Sequence, residues 1–469
     1  MKIHVVILFS LGILLAAGAR SAAVASPCPD ARVSPDLPSA VTLSKTFPPY
    51  DIALQNDFDC FSWESFVALN WPASTSGNGV PDRSKPFGRL GDNGLVVWET
   101  YKQPVDVFRP LGENPCPACP AGSPDSCYQQ CWNERPSIPE ACLATEGIEG
   151  ARITVLDGFA QASPNAWLTD QNRNLVRYDI RLNEAEFMTI VPSGLYSRQG
   201  QRTHGAFRLP NGVTGGSVGA LETKSAWRIL TDADDRSRYL SQKTLIVDHK
   251  LSPTLGWPDP VGGVFPTCNK AGEGPCCVRD MGLVGFHIAH KSMGEAPGSN
   301  ILMPQWVWST FEHVDNAPIE GEPVDAAVKY SFYNPRCPEE DPLCRVNFNP
   351  RNQVGAPVPI FENPVQVIRN PVEPPFATSA DEVNALWRRL VVDTPFQNYE
   401  LVSTQWPSDP GTADPATTDG DPDPAILANS TMETYMQPQS SCIGCHKLAV
   451  TAVEPYHPAD FSFLFGDAE

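Results

Sequence analysis

The chain has 469 residues with 54 acidic against 34 basic side chains, a net charge of −20. That balance excludes nucleic acid and anionic membranes as natural partners; it suits a basic protein partner or simply keeps a secreted surface soluble. The length exceeds one small domain and accommodates two or three packed modules.

The first 25 residues read as a secretory leader. Lys2 is the basic start, Val5 to Ala17 is apolar except for Ser10 and Gly12, and Ala23-Val24-Ala25 is a small-residue cleavage site. The run is too short to be a membrane span, and no later stretch has 18 uninterrupted apolar residues. Removing the leader takes away Lys2 and Arg20, which leaves 32 basic against 54 acidic residues and a net charge of −22. A periplasmic or secreted destination follows, with no membrane span expected.

Fourteen cysteines in an exported chain imply an oxidising compartment. Twelve of them, Cys28, Cys60, Cys116, Cys119, Cys127, Cys131, Cys142, Cys268, Cys276, Cys277, Cys337 and Cys344, allow six disulfides whose connectivity the sequence does not give. The cluster Cys116 to Cys131 also has spacings that could hold zinc, but it contains no histidine, so disulfides are the expectation there.

Along the chain, Ser62 to Asn70 predicts a short helix with Trp63, Phe66 and Val67 on one face. Strands are predicted at Gly94–Trp98, Val176–Ile180, Ala220–Leu230, Thr244–Asp248, Gly282–His290 and Trp306–His313, from β-branched and aromatic content bounded by turn residues. The last two read as hydrogen-bonded neighbours. Gly215-Gly-Ser217-Val-Gly219 fits the nucleophile elbow of serine hydrolases, but a strand-like run follows it where a helix is required. Ser379-Ala-Asp-Glu382 looks like a capping box ahead of an apolar stripe at Val383, Leu386, Trp387 and Leu390. A weaker helix is predicted over Ala425–Met436, which contains the glycosylation triplet Asn429-Ser-Thr431. The expected class is mainly β with a few short helices, a β-rich α+β fold. A leader (1–25) precedes a disulfide-containing body of one or two modules (26–403). A Pro/Asp-rich linker (404–424) then leads to a helical segment (425–469) docked on the body.

That last segment carries Cys442-Ile-Gly-Cys445-His446. Two residues between the thiols match the spacing of haem vinyl groups, and the adjacent histidine becomes the proximal iron ligand. Composition predicts only about 0.007 such pentapeptides by chance in this chain, so coincidence is a poor explanation. Zinc is poorer, because adjacent Cys445 and His446 do not easily face one tetrahedral ion. A disulfide between Cys442 and Cys445 is the serious competitor. Some forty residues cannot enclose a haem alone, so the body must supply most of the pocket.

The motif resembles that of the c-type cytochromes. The resemblance implies one covalent haem c, attached at Cys442 and Cys445 and ligated by His446. LANSTMETY, SSCIGCH and DFSFLF, with GLVGFHIAHKS and PQWVWSTFEHVDNAP before them, are similar to a group of large secreted bacterial proteins described as cytochrome c family proteins. No methionine follows Cys445, unlike the small soluble cytochromes with their distant downstream ligand. The candidates for the sixth position are therefore His287, His290, His313, Met432 and Met436, with His457 a minor one and an open site an alternative. Alternation along the strand puts His290 with Val284, Phe286 and Ile288, and His287 on the opposite face.

The expected function is one-electron transfer by an exported mono-haem c-type cytochrome, exchanging electrons with a redox partner protein. The alternative is a periplasmic haem enzyme, peroxidase-like or acting on another small molecule, with a distal histidine as acid–base group. An interaction scaffold with a structural or sensory haem is a third possibility.

Overall fold

A computed structural model describes residues 26–44, 52–92, 94–120, 122–134, 138–148, 154–156, 158–164, 166–248, 267–268, 275–295, 303–353, 355, 360–407 and 422–469. The leader and most of the predicted linker lie outside the described residues. The fold is β-rich α+β. Its strands are β1 (Ala40–Thr42), β2 (Thr154–Leu156), β3 (Arg177–Leu182), β4 (Leu221–Ile229), β5 (Ser241–Val247), β6 (Cys276–Glu295), β7 (Met303–His313), β8 (Tyr399–Pro407) and β9 (Pro422–Asp423). Its helices are α1 (Ile52–Leu69), α2 (Pro104–Val107), α3 (Asp125–Asn133), α4 (Glu184–Ser193), α5 (Arg198–His204), α6 (Phe376–Leu390) and α7 (Cys442–His446). Among the described residues, no helix is long and apolar enough to cross a membrane.

The sheet is organised by β6, whose 20 residues give it three partners in succession on one edge, the last being β1, parallel, at Met293–Glu295. Its first half pairs with β5, and its second half pairs with β4, which in turn pairs with β3. On its other edge β6 pairs antiparallel with β7, and β7 with β8. The alternation expected for these strands holds from Phe286 to His290, but a register shift opposite Ala226 and Trp227 puts Val284 in the cluster of Met432 instead of with Phe286. One face presents Phe286, His290, Ser309 and Phe311 to α1: Phe61 stacks on His290, Phe66 lies 4.2 Å from Phe311, and the Ser62 hydroxyl bonds Ser309 at 2.7 Å. The opposite face receives the C-terminal segment.

Several local expectations are corrected. Gly94–Trp98 is no strand; a 3₁₀ turn spans Val97–Thr100, with the Glu99 carboxylate accepting the Val96 N–H at 3.0 Å. The helix expected to start at Ser379 begins at Phe376, and Ser379 is buried inside it, donating its hydroxyl to the Asp59 carboxylate at 2.6 Å. The linker does not start at 404: Thr404, Gln405 and Trp406 are buried at the end of β8. The run 425–436 is a series of turns, because Asn429 and Ser430 spend their side chains on the sheet while the Thr431 hydroxyl donates to Asn429. The helical part of this tail is the motif itself.

All twelve cysteines outside the motif are paired: Cys28–Cys60, Cys116–Cys131, Cys119–Cys127, Cys142–Cys276, Cys268–Cys277 and Cys337–Cys344. The zinc reading of the Cys116–Cys131 cluster is replaced by two nested disulfides. Cys442 and Cys445 are free.

Candidate functional site

The motif occupies a single helical turn. Ser441 caps it, its hydroxyl accepting the Gly444 N–H at 3.0 Å. Ile443 is buried, and its N–H bonds the Gln405 side chain of β8 at 2.8 Å, which fixes the turn against the sheet. Cys442 and Cys445, three residues apart, share a face. Burial pushes the Cys442 thiol well up, so the sulfur keeps its proton.

His446 is held from three sides. Its ring lies 4.3 Å from Trp308 and 5.0 Å from Phe463, centroid to centroid. Its Nδ1–H donates to the Phe461 carbonyl at 2.8 Å, which leaves Nε2 as an unprotonated donor atom. Burial pushes its pKa down to about 4, so the imidazole is neutral. The carbonyl is set in place by an unusual turn: Asp460 and Phe461 both have left-handed backbones, with φ of 50° and 69°. Such angles cost non-glycine residues on the order of 1–3 kcal/mol and need external support. Support comes through Asp460, whose carboxylate accepts the Leu209 N–H at 2.7 Å and pairs with the buried ammonium of Lys291 on β6.

Between sheet and tail lies a cavity of about 360 Å³, within the ~300–1,000 Å³ common for small-molecule sites. Its floor is the sheet face carrying Lys224, His287, Ala289 and Trp308. Its roof is the tail, with Met432, Met436, Cys442, Cys445 and His446. The lining is largely apolar, with a few polar groups. His287 Nε2–H points at both carboxylate oxygens of Glu433, 3.3 and 3.2 Å away. Glu433 also accepts the Asn429 N–H at 2.8 Å. Burial alone would raise its pKa, but His287, Lys224 and that N–H outweigh burial and hold it below the usual range. Burial lowers the pKa of Lys224, against the pull of Glu433.

Of the residues singled out in the sequence, Cys442, Cys445, His446, His287, Met432 and Met436 therefore meet at one cavity. Met432 is mostly core, packed with Val284 and Phe332, whereas Met436 is half-buried on the cavity wall. His290 and His313 do not reach it. His290 donates from Nε2 to the Val218 carbonyl at 2.7 Å on the α1 face. His313 donates to the Arg238 carbonyl at 3.0 Å, accepts the Asp315 N–H at 3.1 Å and stacks on Tyr239. Both are structural. His457 is not on the cavity wall. Ser217 sits in an exposed turn that leads into β4 with no helix after it, so the nucleophile-elbow geometry is missing. The triplet Asn429-Ser-Thr431 is fully buried, which rules out sugar attachment in the folded protein.

Sequence reasoning missed Glu433, Lys224 and the Phe461 carbonyl. A signal for the second existed: Glu222 and Lys224, two apart in a strand that also carries Leu221, Ala226, Trp227 and Ile229, put charge on one face of a buried element. No family model, curated protein or solved structure matches the chain.

Proposed function

We propose that this chain is an exported mono-haem c-type cytochrome that transfers single electrons to or from a redox partner protein, one suited to an acidic surface. Cys442 and Cys445 would carry the two thioether links, and His446 would ligate the iron through Nε2. The bound haem would supply an iron that changes oxidation state. The observation that carries this reading is convergence. The only two free thiols among the described residues and an imidazole nitrogen with its lone pair exposed face one apolar cavity of cofactor size. The competing disulfide between Cys442 and Cys445 is not formed. Trp308 and Phe463 fix the ring, and the Phe461 carbonyl fixes its tautomer.

For the sixth position, Met436 brings a soft thioether to the cavity wall. His287 would have to leave Glu433 to ligate through Nε2. That same pair favours a second reading, a haem enzyme in which His287, oriented by Glu433, moves a proton to or from a small substrate.

Expression with a haem-attachment system, followed by haem staining of the denatured protein, tests the main reading. Colour that survives denaturation and disappears in Cys442→Ala/Cys445→Ala is expected; a colourless native chain overturns it. Ligand binding separates the two activities. In an electron carrier cyanide and carbon monoxide bind slowly, and Met436→Ala makes binding prompt while His287→Ala does not. Prompt binding in the native protein, with peroxide turnover lost in His287→Ala, selects the enzyme.

A further inference from the structure

Three buried carboxyl groups meet where β4, α4 and the C-terminal turn converge beside the cavity. Glu222 lines the cavity wall, Glu186 lies in the first turn of α4, and Asp460 is in the left-handed turn. Lys291 of β6 faces them; its ammonium bonds the Leu209 carbonyl at 2.9 Å and pairs with Asp460. Arg208 acts on Lys291 and Asp460 from the adjoining loop. Ser462 donates its hydroxyl to Glu222. Four carboxyl oxygens in this group have no hydrogen-bond partner: both of Glu186, Oε1 of Glu222 and Oδ1 of Asp460.

Three carboxylates against one close ammonium would leave unpaired negative charge among buried side chains. Burying an unpaired carboxylate costs more than binding a proton, so such groups neutralise instead. Burial and the neighbouring carboxylates raise Glu186 well above the usual range; burial, then Asp460, raises Glu222 to about 7. Burial raises Asp460 as well, against the pull of Lys291. Glu222 thus combines a protonation equilibrium near neutrality with a place on the wall of the redox cavity. A negative charge added in that cavity raises its proton affinity.

We infer that Glu222, backed by Glu186, is a proton-binding site coupled to electron entry. One electron from the reducing partner enters the cavity group and one proton from water binds the Glu222 carboxylate; oxidation returns both. This inference rests on the function proposed above.

The test uses the haem-loaded protein. Its reduction potential, titrated from pH 5 to 9, is expected to fall with rising pH around neutrality, approaching about 59 mV per tenfold change in proton concentration for one electron. Glu222→Gln, nearly isosteric, flattens that region, and Glu186→Gln moves it along the pH axis. Infrared spectra give a second readout that needs no haem: a carboxylic-acid band titrating near neutrality, absent in Glu222→Gln. A pH-independent potential in the native protein, or unchanged dependence in both variants, overturns the coupling. Absence of the band overturns proton binding at Glu222. A chain that takes up no haem overturns the proposed function and the coupling together, and the infrared result still decides the proton site.

Discussion

His446 is positioned by residues far from it in sequence. Lys291 holds Asp460, Asp460 holds the left-handed turn, and the turn offers the Phe461 carbonyl to Nδ1. Asp460→Ala would leave the Lys291 ammonium buried without its partner, a loss of about 3–5 kcal/mol in unfolding free energy by denaturant titration. Asp460→Asn keeps a residue that tolerates positive φ, so the loss it shows reports the charge alone. The motif was legible as five letters, and so was His287 as one of several candidates. The Lys291–Asp460 link was not, because 169 residues separate its partners and neither lies in a recognisable pattern.

Elements were legible where alternation is strict. Strands β3 to β7 follow the sequence because their inward residues form two packed faces, and one-residue shifts would expose whole rows. Elements failed where tertiary hydrogen bonds override local preference. The tail from Asn429 to Glu433 lies flat on β6 and β7. Asn429 bonds Thr310 and the Phe311 carbonyl, both at 2.9 Å, and the Ser430 hydroxyl bonds Glu312 at 2.6 Å. Gly285 makes this approach possible: a Cβ there would meet the Thr431 hydroxyl at 2.2 Å and the Asn429 side chain at 2.9 Å. Gly285→Val is expected to lift the cavity roof and cost about 1–3 kcal/mol. The urea midpoint should fall, and, on the function proposed above, the fraction of protein that takes up covalent haem should fall with it.

At the scale of the molecule, disulfides and buried ionisable groups set the conditions under which the fold persists. Cys142–Cys276 closes a span of 134 residues and Cys119–Cys127 one of 8. Loop-closure entropy gives about 5 kcal/mol for removing the first and about 2.5 kcal/mol for the second, checked by urea titration of the paired serine variants. The pH response has two opposing parts. Glu99 and Glu222, raised by burial to about 7, bind protons in the folded state before the unfolded one, so stability rises as pH falls from 8. His290 and His313, lowered by burial to about 4, resist protonation that the unfolded chain accepts below 6.5, so they remove stability from there down. Burial raises Glu64 to about 7 and Asp59 to about 6 alongside those glutamates, and lowers His446 to about 4 alongside those histidines, so the urea midpoint is expected to climb from pH 8 to about 6.5, climb more slowly to about 4.5, and then drop. A midpoint highest at pH 8 would contradict this assignment.

Every paired cysteine precedes Cys442 in the chain, Cys344 being the last of them. When the chain is delivered N-terminus first, the six bridges can close before the motif emerges, and no odd thiol remains to capture either late sulfur. Burial keeps the Cys442 thiol protonated and therefore slow to oxidise once the tail has docked. A place after all twelve paired cysteines thus sorts the sulfurs by time.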